Sequence, residues 1–599
     1  MKYQPIENYG VVGDLSTVAL VSVEGSIDFM CFPHFDSPSI FGALLDHDKG
    51  GRFQIAPISQ QFNCKQRYLP DTNILLTRFR AAEGVAEVSD FMPVQLLGHR
   101  HELLRRLKVV LGEMEFRMVC DPKFNYGRSG HRIEQRGQEV FFHPDCESCP
   151  DLRLACSVAP QIENGAATAR FRLRAGDTAF FFLEEADPKT EPSPPTADYL
   201  SEAFKETMNY WLDWVGRCQY RGRWREMINR SALTLKLLTS VSQGSIVAAP
   251  TFGLPEHFGG QRNWDYRYAW IRDASFTLFA LMRLGYTEEA TGFFRWIEDR
   301  CHELQPERPM QAVYGLDGRR ALPEEELQEW AGYRGSRPVR VGNGAYRQLQ
   351  LDIYGELLDS VYIYDKHGTP ISYDFWMQLV KLVDWVCDHW TQPDDGIWEV
   401  RGGPQPFLFS RVLCWVAIDR ALRIAHQRSF PAPHERWTSA RDAIYRDVYE
   451  HFWNEDLKAF VQYRGSRTVD AACLMMPLLK FISSTDPRWI STMQTVERVL
   501  VQDSLVYRYN VLEAAKDGLP DEEGTFSMCS FWYVECLARM GDMRKARFMF
   551  EKALGYANHV GLYAEQLGCR GEHLGNFPQA FTHIALISAA WYLDRKLSD

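Results

Sequence analysis

The amino-acid sequence predicts a multi-domain β plus all-α protein, with an N-terminal antiparallel β-sandwich, a linker helix and an (α/α)6 barrel. A chain of 599 residues is too long for one hydrophobic core of ordinary size, which favours two domains. The first third shows strand-length segments between turn residues, whereas almost everything after residue 222 has helical periodicity. We therefore place the sandwich at residues 1–195, the linker at 196–221 and the barrel at 222–599.

The first domain reads as many short strands. Gly, Pro, Asp and Asn clusters separate segments of strand length, among them 17–23, 26–32, 103–110 and 178–183. Short strands with frequent turns are typical of an antiparallel β-sandwich. The proline-rich residues 191–195 suit neither strand nor helix and end this domain. The amphipathic stretch 197–215 that follows predicts the linker helix.

The second domain reads as helices in pairs. Strongly apolar helices alternate with amphipathic ones, as expected for the inner and outer layers of a closed double ring. A helical solenoid is the alternative, although solenoid repeats keep a more constant period. The twelve candidate helices span 222–241, 272–285, 287–303, 343–367, 372–390, 406–428, 433–453, 468–482, 487–501, 522–540, 543–558 and 576–597.

Charge and composition exclude several classes of partner. The net charge is −11 and no run of Lys or Arg is present, which argues against nucleic acid and anionic membranes. The N-terminus lacks a signal-peptide pattern and no apolar run reaches the roughly 18 residues of a membrane helix, so we expect a cytoplasmic protein. Aromatic residues make up 13% of the chain, which suits sugar stacking as well as a large core.

The 14 cysteines form no framework of disulfides or metal ligands. Several lie in apolar helical stretches, where a free thiol behaves as a small buried hydrophobe. Cys146 and Cys149 form one CxxC pair, but no second pair follows at zinc-ribbon spacing. The cysteines therefore indicate no metal or redox site.

The irregular loop 259–273 combines aromatic residues, acids and arginines at the start of a helix. Arg272 and Asp273 there are suited to charge-assisted hydrogen bonds with adjacent sugar hydroxyls, while rings stack on sugar C–H faces. The alternative is a helix N-terminus that Asp273 caps and where Arg272 pairs locally. The residues alone do not decide between these interpretations.

Two glutamates in other loops are candidates for acid–base chemistry. Glu399 directly follows Trp398 between two helical segments, and a neighbouring indole is expected to raise the pKa of that carboxyl by desolvation. Glu565 precedes a glycine-containing loop, where a water-activating base would fit. A backbone-bonded Glu399 and a solvated Glu565 are the alternatives. The loop 332–343 adds three arginines, including Arg337, for which a solvated basic loop is the alternative.

Taken together, these loops resemble glycoside hydrolase family 15, the glucoamylase-like family. The N-terminal segments 6–14 and 24–28 are similar to the trehalase-like β-domain of its bacterial and archaeal members. The resemblance covers essentially the whole chain. It implies an (α/α)6 catalytic barrel that needs no cofactor and acts on a neutral α-glucoside.

The resemblance also implies roles for individual residues. Glu399 matches the general acid and Glu565 the general base. Arg272 and Asp273 match the pair that holds the non-reducing glucose in the innermost subsite. Shorter matches place further residues near the substrate, namely Arg337 along the pocket, Arg508 near the leaving group, and Trp264 or Trp398 under the sugar.

The implied reaction is exo-acting hydrolysis of a terminal α-linked glucose with inversion, releasing β-glucose. Trehalose, α-1,4- and α-1,6-linked oligosaccharides present the same terminal glucose, so a trehalase and a glucoamylase both remain open, as does a transglucosidase. A phosphorylase would have no use for the base Glu565, because phosphate is its nucleophile. A noncatalytic carbohydrate-binding protein would have no reason to keep both glutamates. The sequence predicts no oligomeric state.

Overall fold

The computed structural model describes residues 3–59, 61–94, 101–186, 196–302, 310–510, 518–519 and 523–598. The predicted order of β-domain, linker helix and helical barrel is confirmed. The proline-rich residues 191–195, predicted to end the β-domain, lie outside the described residues.

The β-domain consists of two antiparallel layers that share one long strand, β9. The second half of β9 pairs with β5 and β14 in a layer that also contains β1 to β4 and β13. Its first half pairs with β8 and β15 in a layer completed by β6, β7 and β10 to β12. The strands are β1 Tyr9–Gly13, β2 Val18–Ser22, β3 Ser26–Cys31, β4 Ser39–Phe41, β5 Arg52–Pro57, β6 Phe62–Tyr68, β7 Leu75–Ala81, β8 Gly84–Phe91, β9 Glu102–Asp121, β10 His131–Arg136, β11 Glu139–Pro144, β12 Leu152–Cys156, β13 Gln161–Glu163, β14 Ala166–Arg174 and β15 Thr178–Glu185.

Apolar side chains from both layers meet in one core. Phe181 of β15 contacts Phe53 of β5 and Phe171 of β14, at ring-centroid distances of 6.4 and 5.9 Å. The far end of the β9–β14 pair carries exposed ion pairs instead, such as Arg170 with Glu115 and Arg174 with Glu113. This division into an apolar inner face and a charged outer face makes the domain a β-sandwich.

The linker helix α1, Ala197–Gly216, packs on both domains. The Thr196 side chain caps it by accepting a hydrogen bond from the Tyr199 amide at 3.1 Å. Phe204 near its start contacts Phe91 of the sandwich at 5.4 Å, and Trp214 near its end stacks on Tyr286 of the barrel at 4.0 Å. The helix therefore joins the two cores.

The barrel helices alternate between two concentric layers. The helices are α2 Arg225–Leu237, α3 Ile271–Arg283, α4 Glu288–His302, α5 Asp352–His367, α6 Tyr373–His389, α7 Leu408–Arg428, α8 His434–His451, α9 Met475–Leu478, α10 Pro487–Leu500, α11 Ser527–Met540, α12 Met543–Leu554 and α13 Ala580–Ser598. The odd-numbered ones from α3 to α13 contact one another in a ring, with a 3-10 turn at Ala471–Leu474 extending α9. In α11, every residue from Ser527 to Ala538 is buried, whereas outer helix α8 buries only three side chains.

Because chain direction reverses at each helix, all inner helices run the same way and their N-terminal ends share one end of the barrel. The loops at that end are irregular and include a short hairpin of β16, Phe252–Pro255, and β17, Asn263–Asp265. This is the end at which the candidate site residues lie.

Several predicted helices differ in extent from the observed ones, among them the helices predicted at 343–367 and 468–482. The helix predicted at 343–367 begins at Asp352, because the Asn343 side chain caps a separate 3-10 turn and Gln348 is extended. The helix predicted at 468–482 is reduced to the short turn and α9, which ends before Lys480 in the left-handed region at a φ of 64°.

All 14 cysteines, including Cys146 and Cys149, are free thiols. The described residues contain no cluster of three or more potential metal ligands. Among the helices that the structure describes, none combines the length and apolar character that a membrane crossing requires.

Candidate active site

A cleft of about 430 Å³ opens at the N-terminal end of the inner ring and continues into a narrower chamber of about 50 Å³. Trp398, Glu399, Arg508 and Tyr266 line both spaces. Trp264 lines only the outer cleft, whereas Arg272, Asp273 and Glu565 line only the inner chamber. The structure therefore brings together all the candidate residues except Arg337.

Glu399 lies in the turn before α7, with a φ of 54° in the left-handed region. One of its oxygens, Oε1, accepts hydrogen bonds from Trp270 Nε1 at 2.7 Å and from Gln350 Nε2 at 3.2 Å. Arg272 Nη2 approaches the same oxygen at 3.4 Å. Within the described part of the chain Oε2 accepts no hydrogen bond, and the side chain is 21% exposed. The carboxyl is thus oriented through one oxygen while the other is available to a substrate.

Glu565, just before α13, is almost fully buried, with 1% of the residue exposed. Its Oε1 accepts a 2.7 Å hydrogen bond from the Tyr266 hydroxyl, and its Oε2 accepts one from the Asn576 amide at 3.2 Å. Burial and the nearby Glu256 carboxylate raise the pKa of Glu565 to about 8, against the opposing effect of the Tyr266 hydrogen bond. Burial therefore favours the protonated form of this carboxyl.

Arg272 and Asp273 form the first turn of α3 and reach the inner chamber. Arg272 Nη1 donates to Gln350 Oε1 at 3.2 Å, and its Nε lies 3.5 Å from Asp273 Oδ2. Arg272 Nε and Asp273 Oδ2 are buried and make no hydrogen bond to the described residues. Burial raises the pKa of Asp273 to about 7, although Arg272 opposes this. A buried donor and acceptor in need of partners suit the hydroxyls of a sugar.

The Trp398 indole N–H is hydrogen-bonded to a residue other than Glu399. Its indole Nε1 donates to Asp470 Oδ2 at 3.0 Å, and its ring contacts Phe526 at 5.6 Å. The indole that contacts Glu399 is Trp270, which together with Tyr266 belongs to the aromatic loop 259–273. That loop was the signal for both residues, but sequence reasoning assigned neither of them a role.

The outer cleft holds a network of paired charges. Arg508 Nε donates to both oxygens of Glu523, at 2.9 and 2.8 Å, and Arg508 Nη2 reaches Glu256 Oε2 at 3.3 Å. Trp264 Nε1 donates to Glu256 Oε1 at 3.0 Å, and the guanidinium of Arg401 lies 4.2 Å from the Trp264 ring. Sequence reasoning missed Glu256, which no motif singled out.

Arg337 is exposed and lines neither the cleft nor the chamber. Its Nε donates to the Ala331 carbonyl at 3.3 Å. The same loop instead contributes Asn343 to the cleft, and Asn343 Nδ2 donates to the Asp265 carbonyl at 3.1 Å.

Arg267 connects this loop to the β-domain and is fully buried. Its guanidinium donates to Asp265 Oδ1 at 2.8 Å and Oδ2 at 2.7 Å. It also donates to the Ser37 carbonyl at 2.7 Å and to the Tyr126 hydroxyl at 3.2 Å, both in the sandwich. No described residue of the sandwich lines the cleft or the chamber, so the β-domain contacts the site only through its supporting loops.

Comparison with known proteins identifies the family to which this chain belongs. Residues 222–591 match the model of Glycosyl hydrolases family 15, and residues 1–170 match the model described as Trehalase-like, N-terminal. A protein named Trehalase from Mycolicibacterium smegmatis is 39% identical, over 99% of this chain and 92% of that protein. Relatives of the same name from Mycobacterium tuberculosis and Thermoplasma volcanium are 38% and 35% identical, each over 99% of this chain and over 90% and 94% of their own length.

The fold comparison agrees. A bacterial glucoamylase complexed with acarbose superimposes with a TM-score of 0.69 at 12% identity, over 99% of this chain and 95% of that one. At that identity the similarity shows a shared fold, including the (α/α)6 barrel. Because the family model matches more than half of the chain and the relatives match nearly all of it, the chain belongs to glycosyl hydrolase family 15 and is a glycoside hydrolase with a trehalase-like N-terminal domain.

Proposed function

We propose that the protein is an inverting α,α-trehalase in which Glu399 is the general acid and Glu565 the general base. The observation that carries the mechanism is that both carboxyls line one narrow chamber whose walls also hold Arg272 and Asp273. The similarity to proteins named Trehalase along nearly the whole chain favours trehalose over other α-glucosides.

In this mechanism the chamber binds the glucose whose bond is cleaved. Arg272 and Asp273 supply a buried donor and acceptor to its hydroxyls, which makes the attack nearly unimolecular. Glu399 donates a proton to the glycosidic oxygen as the bond breaks. Glu565, deprotonated, takes a proton from a water on the opposite face of the ring. The two carboxyls of an inverting enzyme are expected about 6.5–9.5 Å apart, which leaves room for that water.

The shape of the site suits cleavage of a terminal glucose. The inner chamber is narrow, and Glu399 lines both it and the outer cleft, so the scissile bond is expected where the two spaces join. The outer cleft then receives the leaving sugar. Since Arg508 there is paired with Glu523 and Glu256, this side of the cleft suits a neutral polyhydroxyl group.

Proton NMR of early products tests both the substrate and the stereochemistry. Trehalose, maltose, isomaltose and a maltodextrin are each incubated with the protein. Inverting hydrolysis of trehalose releases one β-glucose and one α-glucose, so the two anomers are expected in equal amounts before mutarotation. Two α-glucose molecules would overturn inversion, faster cleavage of maltose would indicate a glucoamylase, and new oligosaccharide signals would indicate a transglucosidase.

Substrates with different leaving groups distinguish the general acid from the general base. Glu399→Gln and Glu565→Gln are each expected to lower kcat for trehalose by about 10²–10⁴-fold, because each removes one proton transfer. On α-glucosyl fluoride, whose fluoride needs less protonation, Glu399→Gln is expected to recover much of its activity and Glu565→Gln is not. The exposed Glu435→Gln is the matched control and keeps wild-type rates. Equal recovery by both variants would contradict the assigned roles.

A further inference from the structure

Glu256 is a buried acidic residue of the site, and the proposed mechanism assigns it no role. It directly follows strand β16 and is 1% exposed. It lines the outer cleft but not the inner chamber, as does Trp264. If the scissile bond lies where the two spaces join, residues that line only the outer cleft face only the leaving group.

The Glu256 carboxylate accepts hydrogen bonds from two other residues that line that cleft, Trp264 and Arg508. Its Oε1 accepts from the Trp264 indole at 3.0 Å, and its Oε2 accepts from Arg508 Nη2 at 3.3 Å. Arg262 Nη1 lies 3.9 Å from Oε2. A carboxylate has about four acceptor sites, so it can accept hydrogen bonds from Trp264 and Arg508 at the same time. One carboxylate thus links Trp264 to Arg508.

The charges around Glu256 are balanced. Two cations, Arg508 and Arg262, meet two anions, Glu256 and Glu523, and all four are buried. Removing the charge of Glu256 leaves this part of the cleft positive, and the single amide oxygen of a glutamine accepts from only one of Trp264 and Arg508 in the present geometry. Glu523 also binds Arg508, but it lines neither space, and among the described residues the Trp264 indole donates to Glu256 and not to Glu523. The two acids are therefore not equivalent.

We propose that Glu256 is a specificity-determining positioning residue, which holds Trp264 and Arg508 so that the outer cleft accepts a single neutral sugar as leaving group. The proposal rests on the proposed function, because it takes Glu399 as the acid at the junction of the two spaces. It assigns Glu256 to the leaving sugar and not to the glucose held by Arg272 and Asp273.

Two substrates of the same enzyme separate this role from a structural one. α,α-Trehalose has a leaving sugar, whereas α-glucosyl fluoride fills the inner chamber and has a one-atom leaving group. Glu256→Gln, which keeps the side-chain shape, is expected to lower kcat/KM for trehalose by about 10–100-fold, as expected for a lost charged hydrogen bond. For α-glucosyl fluoride the loss is expected to stay below about threefold at the pH optimum of each enzyme.

Further variants test whether Glu256 acts through its hydrogen bond with Trp264. Trp264→Phe removes the indole donor and is expected to show the same selective loss, with a double variant no worse than the poorer single one. Glu523→Gln is expected to lower both substrates' rates alike, because Arg508 lines both spaces and Glu523 binds its Nε through both oxygens, whereas Glu256 contributes one 3.3 Å hydrogen bond to it. Thermal unfolding verifies that each variant folds, and Glu256→Asp replaces Glu256→Gln should the latter unfold.

Equal losses on both substrates for Glu256→Gln, or no loss on either, would overturn the proposal. Failure of the proposed function is distinguishable. In that case the wild-type enzyme cleaves α-glucosyl fluoride but not trehalose, and the comparison is repeated with the disaccharide it does cleave. A leaving-sugar role then predicts the same selective loss on that disaccharide.

Discussion

At the scale of single residues, the two proposed catalytic carboxyls are held by different kinds of donor. Glu399 is oriented through one oxygen by an indole and an amide, with a guanidinium close by, and part of its side chain is exposed. Glu565 is enclosed, with one oxygen on a tyrosine hydroxyl and the other on a backbone amide. The partly exposed carboxyl of Glu399 suits proton donation to a substrate. The enclosed carboxyl of Glu565, whose pKa depends on its neighbours, suits a general base.

The pKa of Glu565 sets the pH below which activity is lost. That pKa depends on the groups that face Glu565, namely Glu256, Tyr266 and Arg508. A base must be deprotonated, so a raised pKa moves the loss of kcat/KM at low pH above the range of an ordinary glutamate. The charge of Glu256 raises the pKa of Glu565, so Glu256→Gln is expected to move this limb to lower pH. The Tyr266 hydrogen bond lowers the same pKa, so Tyr266→Phe is expected to move the limb to higher pH. Profiles of kcat/KM with α-glucosyl fluoride measure both shifts, and shifts in the same direction would contradict the assignment of Glu565 as base.

At the residue level, the sequence indicated neighbours in the cavity where a motif is contiguous, while the roles of these residues stay predictions. Arg272–Asp273 and Trp398–Glu399 are adjacent pairs, and the structure places all four side chains around the chamber. Prediction failed where the contact joins distant segments, because nothing in the chain near Glu256 shows that Trp264 and Arg508 reach it. For Arg337 the local pattern was a poor guide, since the loop turns its side chain to solvent.

At the scale of elements, helix type and order were predictable, whereas extents were not. Alternation of buried and amphipathic helices indicated the double ring, since an inner helix must be apolar on all sides. The start of α5 was not visible, because residues 343–351 have helical propensity but are held in a loop by the Asn343 cap and site contacts of Gln348 and Gln350. The domain boundaries at 195 and 221 stay predictions, although α1 ends at Gly216 and α2 begins at Arg225.

The loop before α13 depends on Gly575, which makes a prediction at this scale. Its φ is +71°, and a Cβ there would lie 2.4 Å from Glu565 Oε2 and 2.8 Å from Glu565 Cβ. Gly575→Ala is therefore expected to displace the base and lower kcat/KM for trehalose by about 10²-fold. Gly541→Ala is the matched control, because its φ is +93° with nothing within 4 Å of the new Cβ. The control is expected to lose about 1 kcal/mol of stability and no activity. Wild-type rates in Gly575→Ala would contradict the position given to Glu565.

At the scale of the whole molecule, the β-domain supports the site without lining it. The sequence indicated two domains through the change of periodicity, but it could not show their contact, which joins residues over 100 positions apart. Arg267 belongs to this contact at the point where it approaches the site. It binds Asp265 in the segment that presents Trp264 and Tyr266, and the Asp265 carboxylate also accepts the Gly342 amide at 3.0 Å. The sandwich, the aromatic loop and the loop before α5 therefore meet at one buried ion pair.

This arrangement predicts that weakening the domain contact reduces catalysis as well as stability. Arg267→Lys keeps the charge but loses the planar guanidinium that binds Asp265, Ser37 and Tyr126 together, so we expect a loss of about 2 kcal/mol in the free energy of unfolding. Because Tyr266 loses its fixed position, kcat/KM is expected to fall by about tenfold at temperatures where the variant is fully folded. Denaturant unfolding and steady-state kinetics measure the two effects. Arg170→Lys, the same change at the exposed ion pair with Glu115 on the sandwich, is the matched control and leaves both quantities unchanged. An Arg267→Lys enzyme that is destabilised yet fully active when folded would show that the barrel loops hold the site on their own, and the β-domain would then contribute stability alone.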